Sequence, residues 1–316
     1  MNKISVVTPT LRRPNEVLAL ITNLSKQILL PYELILVDGA PLKEDDTEQA
    51  IKSLGVLPFI LRHIRHNGGT AIQRNVGIDH ANGDFIAFID DDIRLEPDFF
   101  KIIIDVFNQD LTLSVGGIAG YISNQYLNPE TSRRWIWNRR LHLYTTFEPG
   151  RYDFQSGYPV NRYLQPPHDG IREIDFMGAG CALWRKEVFT NGLRFAPFFT
   201  GLGVLEDAHL ALRAGQSWKL LECGSAKCVH LHAPGGREKS RKIARKTAVN
   251  YRFVFVDIVP QRSIIQEYRF WRNQVFDLIR FFLYALINGG RESWGSVLGK
   301  LEGIIAATKI KPSESN

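Results

Sequence analysis

Two rhythms of apolar residues run through the first part of this chain. Residues 4–7, 33–37, 59–64 and 84–89 form short runs rich in β-favouring side chains, the pattern of strands covered on both faces. Between the first two runs, Val17, Leu20, Ile21, Leu24 and Ile28 recur at three- and four-residue spacing. They predict a helix with one buried face, opened by Pro14 in its first turn. A second helix is expected from Thr70, as N-cap, to about Ala81, closed by Asn82-Gly83. Strands and helices thus alternate, which predicts a mostly parallel sheet with helices on both faces.

The same reading places a helix at 97–107, strands at 115–122, 172–176 and 178–184, and a short helix at 186–189. A helix at 206–214 and two late strands at 217–221 and 227–231 complete the series. Between 124 and 170 periodicity fades and Trp, Tyr, Pro and Arg dominate. This stretch reads as a long, partly mobile excursion over a site. After Ala233-Pro234-Gly235-Gly236, basic residues crowd one segment, and amphipathic patterns with aromatics follow to about 307. The expected division is a domain over 1–235, with 1–122 binding one ligand and 123–235 the other, and a helical region over 236–316.

The apolar run Phe85-Ile86-Ala87-Phe88-Ile89 stops at Asp90-Asp91-Asp92. Three like charges at a strand end need neutralising, and oxygen-only ligands select hard divalent ions. In an open α/β sheet, ligands bind beyond the carboxyl ends of the strands. Asp38 and Thr8-Pro9-Thr10 end strands on the same edge. A solvated acidic turn that caps the next helix is the plainer alternative. Gly-x-Gly-x-x-Gly and Walker A patterns are absent, so ordinary dinucleotide and P-loop sites are disfavoured. Arg74 follows the loop Asn67-Gly68-Gly69, where a cation meets a phosphate or offsets nearby acids. Gly178-Ala179-Gly180-Cys181 permits close backbone approach to a ligand, or only tight packing. Trp135, Trp137 and Tyr144 are candidates to stack on the rings of a ligand, or form local core. His230 and His232 would share one face of a strand.

Of 316 residues, 44% are hydrophobic and 23% charged, and the formal net charge is +6. That charge suits an anionic ligand or membrane surface without demanding nucleic acid. Three scattered cysteines argue against a disulfide scaffold or zinc site and suit a reducing cytoplasm. The first residues enter a strand at once, which argues against a signal peptide. No apolar stretch reaches the roughly 18 residues of a membrane span.

In order and spacing, several pieces resemble the inverting family 2 glycosyltransferases of GT-A fold. They are Val6-Val7-Thr8-Pro9-Thr10, Leu34-Ile35-Leu36-Val37-Asp38, Asn67-Gly68-Gly69-Thr70-Ala71-Ile72-Gln73-Arg74-Asn75, Phe88-Ile89-Asp90-Asp91-Asp92, Met177-Gly178-Ala179-Gly180 and Gly203-Val204-Leu205-Glu206-Asp207. The resemblance implies a GT-A catalytic domain and metal-dependent transfer of a sugar from a nucleotide-diphosphate donor to a saccharide or lipid-linked acceptor, in cell-surface polysaccharide synthesis. It implies that Thr8, Pro9, Thr10, Arg12, Asp38, Arg74, Asp90, Asp91, Gly178 and Ala179 lie on the nucleotide and donor. Asp90-Asp91-Asp92 looks like the DxD element, with Asp92 and Asp90 on Mn²⁺ or Mg²⁺ and His232 or His230 as a further ligand. Glu206-Asp207 looks like the ED motif, with Asp207 as catalytic base and Glu206 orienting or binding acceptor.

Two other classes compete. A sugar-nucleotide nucleotidyltransferase shares the layout, but Leu11-Arg12-Arg13-Pro14 supplies that family's arginines without its glycines. A basic membrane- or nucleic-acid-binding module would rest on the tail, whereas nothing in the first 230 residues resembles a nucleic-acid motif. The expected location is cytoplasmic, peripheral on the inner leaflet if the tail helices lie in a membrane. Packing on the catalytic domain or on a second subunit, as a homodimer, is the alternative use of that tail.

Overall fold

Strands β1 (Ile4–Thr10), β2 (Glu33–Asp38) and β4 (Phe85–Ile89) are buried along their whole lengths in the computed structural model, which describes residues 2–201, 203–233 and 238–311. Their continuous apolar runs have helices to cover them: α1 (Pro14–Leu24), α2 (Asp46–Lys52), α3 (Thr70–His80) and α4 (Phe99–Gln109) alternate with the strands. β3 (Ile60–Arg65), β5 (Ile93–Leu95), β6 (Val115–Ile122), β9 (Ile171–Glu173), β10 (Cys181–Arg185) and β11 (Lys219–His230) complete the sheet, with α6 (Glu206–Ala214) before β11. The strand order is β3-β2-β1-β4-β10-β6-β11-β5, with β9 on β11. β1, β2, β3 and β4 are mutually parallel, as β6 and β11 are, and β10 enters antiparallel between β4 and β6. The mostly parallel α/β sheet expected from the alternation is therefore present.

Register fixes the functional edge. Thr10 pairs with Asp38, Asp38 with Arg65, and Val7 with Phe88. The ends of β1 and β2 and the acidic turn after β4 thus open on one side. At the opposite end, buried Glu33 accepts hydrogen bonds from Ser5 Oγ and the Asn82 amide, both at 2.7 Å, and pairs with Arg62 at 3.1 Å.

Local corrections to the sequence reading have physical causes. The two late strands are one strand, β11, with an irregularity between Cys223 and Lys227 that the polar Gly224-Ser225 pair disguises as a turn. The strands expected at 172–176 and 178–184 shorten to β9 and β10.

The chain forms two compact units, residues 1–126 with 165–235, and residues 127–164 with 236–316. The expected boundary at 235 lies outside the described residues. The stretch 127–164, assigned above to the acceptor side of the first domain, belongs instead with the C-terminal helices. It contributes α5 (Arg133–Arg140) and the hairpin β7 (Tyr152–Asp153) with β8 (Tyr158–Pro159). The helices α7 (Ser240–Ile258), α8 (Ile264–Asn288) and α9 (Arg291–Ala307) supply the rest. Trp135, Tyr144, Tyr158, Phe255 and Phe270 form one buried cluster, with Phe255 and Phe270 stacked at 5.2 Å. Trp135 and Tyr144 are therefore core residues, and Trp137 is exposed. Lys300 is buried, held by Gln274 Oε1 at 2.6 Å and facing Asp277 at 3.6 Å.

Close approach of α3 to β1 depends on Gly77, where an added Cβ would stand 2.1 Å from Val7 Cγ1. Helix and strand would have to separate to admit it. Gly77→Ala should lower unfolding free energy by about 1–3 kcal/mol, the usual cost of overpacking, despite alanine's higher helix propensity. Denaturant titration of the two proteins checks this, and unchanged stability would show that α3 has room to move.

Candidate functional site

Arg74 lies on α3, one turn before Gly77, with its side chain buried. One terminal nitrogen donates to Asp90 Oδ1 at 2.8 Å and the other to Glu206 Oε1 at 3.1 Å. Its Cζ lies 5.6 Å from the Phe195 ring centre. Its Nε finds no acceptor among the described residues. The acidic turn after β4 is thereby tied to the first turn of α6, although more than a hundred residues separate them in sequence.

α6 begins abruptly. Leu205 adopts φ 69°, in the left-handed region, and Glu206 and Asp207 follow as the first helical residues. Strain at a non-glycine residue beside such a pair persists only where the surroundings enforce it. Gly201 does part of this by accepting from the Thr70 amide at 3.2 Å. Thr70 Oγ1 donates to Glu206 Oε1 at 3.3 Å and receives the Gly203 amide at 3.3 Å. The half-buried Asp207 carboxylate accepts from the Ala208 amide at 2.7 Å and from the Ala179 amide at 3.2 Å. Ala179 thus reaches the carboxylate pair through its backbone, and Gly180 lies so near Asp90 that a Cβ would meet Oδ2 at 2.9 Å.

Both carboxylates are pushed toward the neutral form. For Glu206, burial and the Asp207 charge outweigh Arg74 and raise its pKa to about 7. For Asp207, burial raises the pKa against the pull of Arg74 and the two amides.

The three consecutive aspartates face different partners. Asp90 is half-buried on Arg74. Asp91 is buried, accepting from Thr10 Oγ1 at 2.7 Å and from Arg13 at 2.8 Å. Burial lifts Asp91 to about 6 despite those bonds. Asp92 faces His230, with Oδ1 3.2 Å from Nε2, and accepts the Ala233 amide at 3.1 Å. Burial would raise Asp92, but His230, Ala233 and Arg13 together hold it below its ordinary value. The hydrogen bond to Asp92 in turn raises His230.

This pairing comes from the sheet, because β5 and β11 place His230 opposite Ile93, next to Asp92. His230, rather than His232, is the residue at the strand end and on the aspartate. His232 is exposed, has φ 52°, and lies against His230, the rings tilted by 35° with centres 4.0 Å apart. Gln125 Nε2 lies 2.7 Å from His230 Nδ1 and 3.2 Å from His232 Nε2, and its Oε1 has no partner among the described residues.

At the other strand ends, Thr8 Oγ1 donates to the Ile89 carbonyl at 2.8 Å and Pro9 is buried opposite Val37. Asp38 is buried and accepts the Ala40 amide at 2.8 Å, with His63 at 3.4 Å and Arg65 at 3.7 Å. Burial alone would raise Asp38; those partners outweigh it and hold it low. Arg12 departs from expectation: it points outward, 60% exposed, onto Glu44. Its neighbour Arg13 is the arginine at the acidic turn, and the doublet alone could not say which. Sequence reasoning also missed Gln125, which carries no motif, and Gln73, whose amide donates to the Thr10 and Val37 carbonyls and joins β1 to β2.

Among the described residues no three of His, Cys, Asp and Glu form a ready metal cage. The donors present nonetheless fit a hard divalent ion. A carboxylate and an imidazole converge, and Mg²⁺- or Mn²⁺-type sites are commonly completed by substrate phosphates and water.

Arg13 answers the buried Asp91 charge from a partly exposed position. Arg13→Ala should cost about 1–3 kcal/mol of stability, below the full penalty for breaking a buried pair because water reaches this one. Asp91→Asn should cost less, since it removes the charge itself. Chemical denaturation in chelator compares them, and an Arg13 variant as stable as the parent would show the pair to be idle.

The glycosyl transferase family 2 model matches residues 5–189. YwdF of Bacillus subtilis, named an uncharacterized glycosyltransferase, is 29% identical over 176 residues, 55% of this chain and 62% of that protein. A glucosyl-dolichyl phosphate glucuronosyltransferase of Haloferax volcanii is 29% identical over 120 residues, 36% of this chain and 37% of its own. The chain thus matches less than two thirds of either relative's length. Among solved structures, the mannosyltransferase PcManGT of Pyrobaculum calidifontis, in complex with GDP-Man and Mn²⁺, superposes with TM-score 0.57 over 97% of this chain and 86% of that one, at 13% identity. That likeness establishes a shared fold. With more than half of its length under the family model, this chain belongs to glycosyl transferase family 2.

Proposed function

We propose that the protein transfers a sugar from a nucleotide-diphosphate donor to a hydroxyl of a saccharide or lipid-linked acceptor, inverting the anomeric centre, and that it does so in the cytoplasm. The observation that carries this reading is Arg74, which joins the acidic turn to the Glu206-Asp207 pair and so sets a donor side and a base side at a fixed separation. Thr8, Thr10 and Asp38 line the strand ends on the donor side, with the half-buried Asp90 at the acidic turn beside them.

In this reading the acceptor oxygen attacks the anomeric carbon as the bond from that carbon to the β-phosphate oxygen breaks. Asp207 takes the acceptor's proton. The Ala179 and Ala208 amides hold its carboxylate in place, and its raised pKa brings it closer to a useful base. Glu206 stays on Arg74 and Thr70 and orients the pair. Asp92 and His230 would hold Mn²⁺ or Mg²⁺, which would offset charge on the departing diphosphate. Gln125 serves His230: with its amide turned so that Oε1 accepts from Nδ1–H, the Nε2 lone pair is free for the metal. The Haloferax relative's name supports a lipid-linked acceptor, and the Pyrobaculum neighbour's complex supports a nucleotide-sugar donor with Mn²⁺.

Asp92→Asn should abolish the Mn²⁺-dependent part of nucleotide-diphosphate binding in calorimetry. Asp207→Asn should leave that binding intact and lower turnover by about 10²–10⁴-fold, the usual yield of a general base. Full turnover by the Asp207 variant would place the base elsewhere. The pH profile separates the two acids. If Asp207 is the base, kcat/KM should fall on the acid side at a pH above the ordinary aspartate value, and Glu206→Gln should keep that limb. A limb near 7 that vanishes with Glu206→Gln would make Glu206 the base.

A further inference from the structure

In the second unit, three helices bring two unlike surfaces to one end. α9 runs parallel to α7: Ser240 Oγ bonds Glu292 Oε2 at 2.6 Å at their N-termini, and Gly303 lies against the Arg245 carbonyl further along. α8 precedes α9 across Gly289-Gly290, so its C-terminal turns lie at the same end as the start of α7. The basic first turns of α7 and the end of α8 therefore lie at the same end of the unit, one on either helix packed against α9.

The end of α8 carries no charge from Phe281 to Gly290. Phe282, Leu283, Tyr284, Leu286 and Ile287 are all exposed, Ile287 by 83%. At about 100° per residue they spread over roughly 200° of the helix circumference. Trp294 of α9 extends this surface, its ring 5.8 Å from that of Phe282. Around the tip stand exposed Lys239, Arg241, Lys242 and Arg291. Glu238 pairs with Lys242 and Glu302 with Arg241, while Glu292, which accepts from the Ser240 amide, feels the charges of Lys239 and Arg291, so three acids face these four cations and leave a net positive charge.

We propose that this end docks on an anionic lipid bilayer, with Leu283, Leu286 and Ile287 entering the boundary of the acyl region and Lys239 and Arg291 resting on the lipid phosphates. An apolar arc this wide suits a medium that is apolar in every direction better than the narrow seam of a helix pair. The cations supply complementarity to anionic headgroups, and Tyr284 and Trp294 have the amphipathic rings that sit at a membrane interface. Among the described residues no helix is long and apolar enough to cross a membrane, so the contact is peripheral. The inference stands apart from glycosyl transfer and survives or fails without it.

Flotation of the full chain with phosphatidylcholine vesicles, with and without phosphatidylglycerol, tests it. The protein should float with the anionic vesicles and release at high salt. The double variant Leu283→Glu/Ile287→Glu should bind at least about tenfold more weakly. Lys239→Glu/Arg291→Glu should lose the preference for anionic lipid. All four positions are exposed, and circular dichroism and thermal melting confirm that the variants fold. A parent protein that stays unbound on anionic vesicles overturns the proposal, as does a tip variant that floats like the parent. A dimer in sedimentation velocity that the tip variant splits, with no flotation, assigns the surface to a second copy instead.

Discussion

A guanidinium taken out of water must have its charge answered, and Arg74 has it answered twice, by Asp90 and Glu206. Removing either acid would leave a buried charge short of a partner, which is why such pairs constrain geometry more than they add stability. The constraint fixes the distance between the turn after β4 and the first turn of α6. It needs α3 pressed onto β1 at Gly77 and the loop before α6 held to Thr70 through Gly201. Leu205, strained at the start of α6, is the local cost of presenting two carboxylates there.

The side that holds Asp92 and His230 is built by different means. Asp92 and His230 meet because β5 and β11 pair antiparallel at the edge of the sheet, and backbone bonds from Leu231 and Ala233 hold the aspartate on both sides. Asp91, between the two functional candidates, is turned inward to Thr10 and Arg13. Three identical residues in a row thus serve three environments, the arginine shared with Glu206, a core contact and a histidine, because successive side chains leaving a strand point in different directions.

The second unit shows how aromatic composition misleads. Trp135 and Tyr144 carry sugar-stacking chemistry by type, yet they pack with Phe255 and Phe270, which lie beyond residue 250. Nothing in the irregular stretch 127–164 announces a partner so far along the chain. Only the packed cluster shows that this stretch owes its order to the C-terminal helices.

What the sequence alone determined is local. Alternating apolar runs and helical spacings place the strands and helices of the sheet. Motif order identifies the family, and strand-end acids mark the edge where the site lies. These are legible because periodicity and turn chemistry act over a few residues. Tertiary structure decided the rest: that Arg13 and not Arg12 meets the acidic turn, that His230 and not His232 faces Asp92, that Gln125 stands behind the histidine, and that Arg74 links Asp90 to Glu206. Each of these depends on strand register or on helix contacts between distant segments. A shift of one residue reverses which face a side chain takes, and only the paired sheet fixes that register.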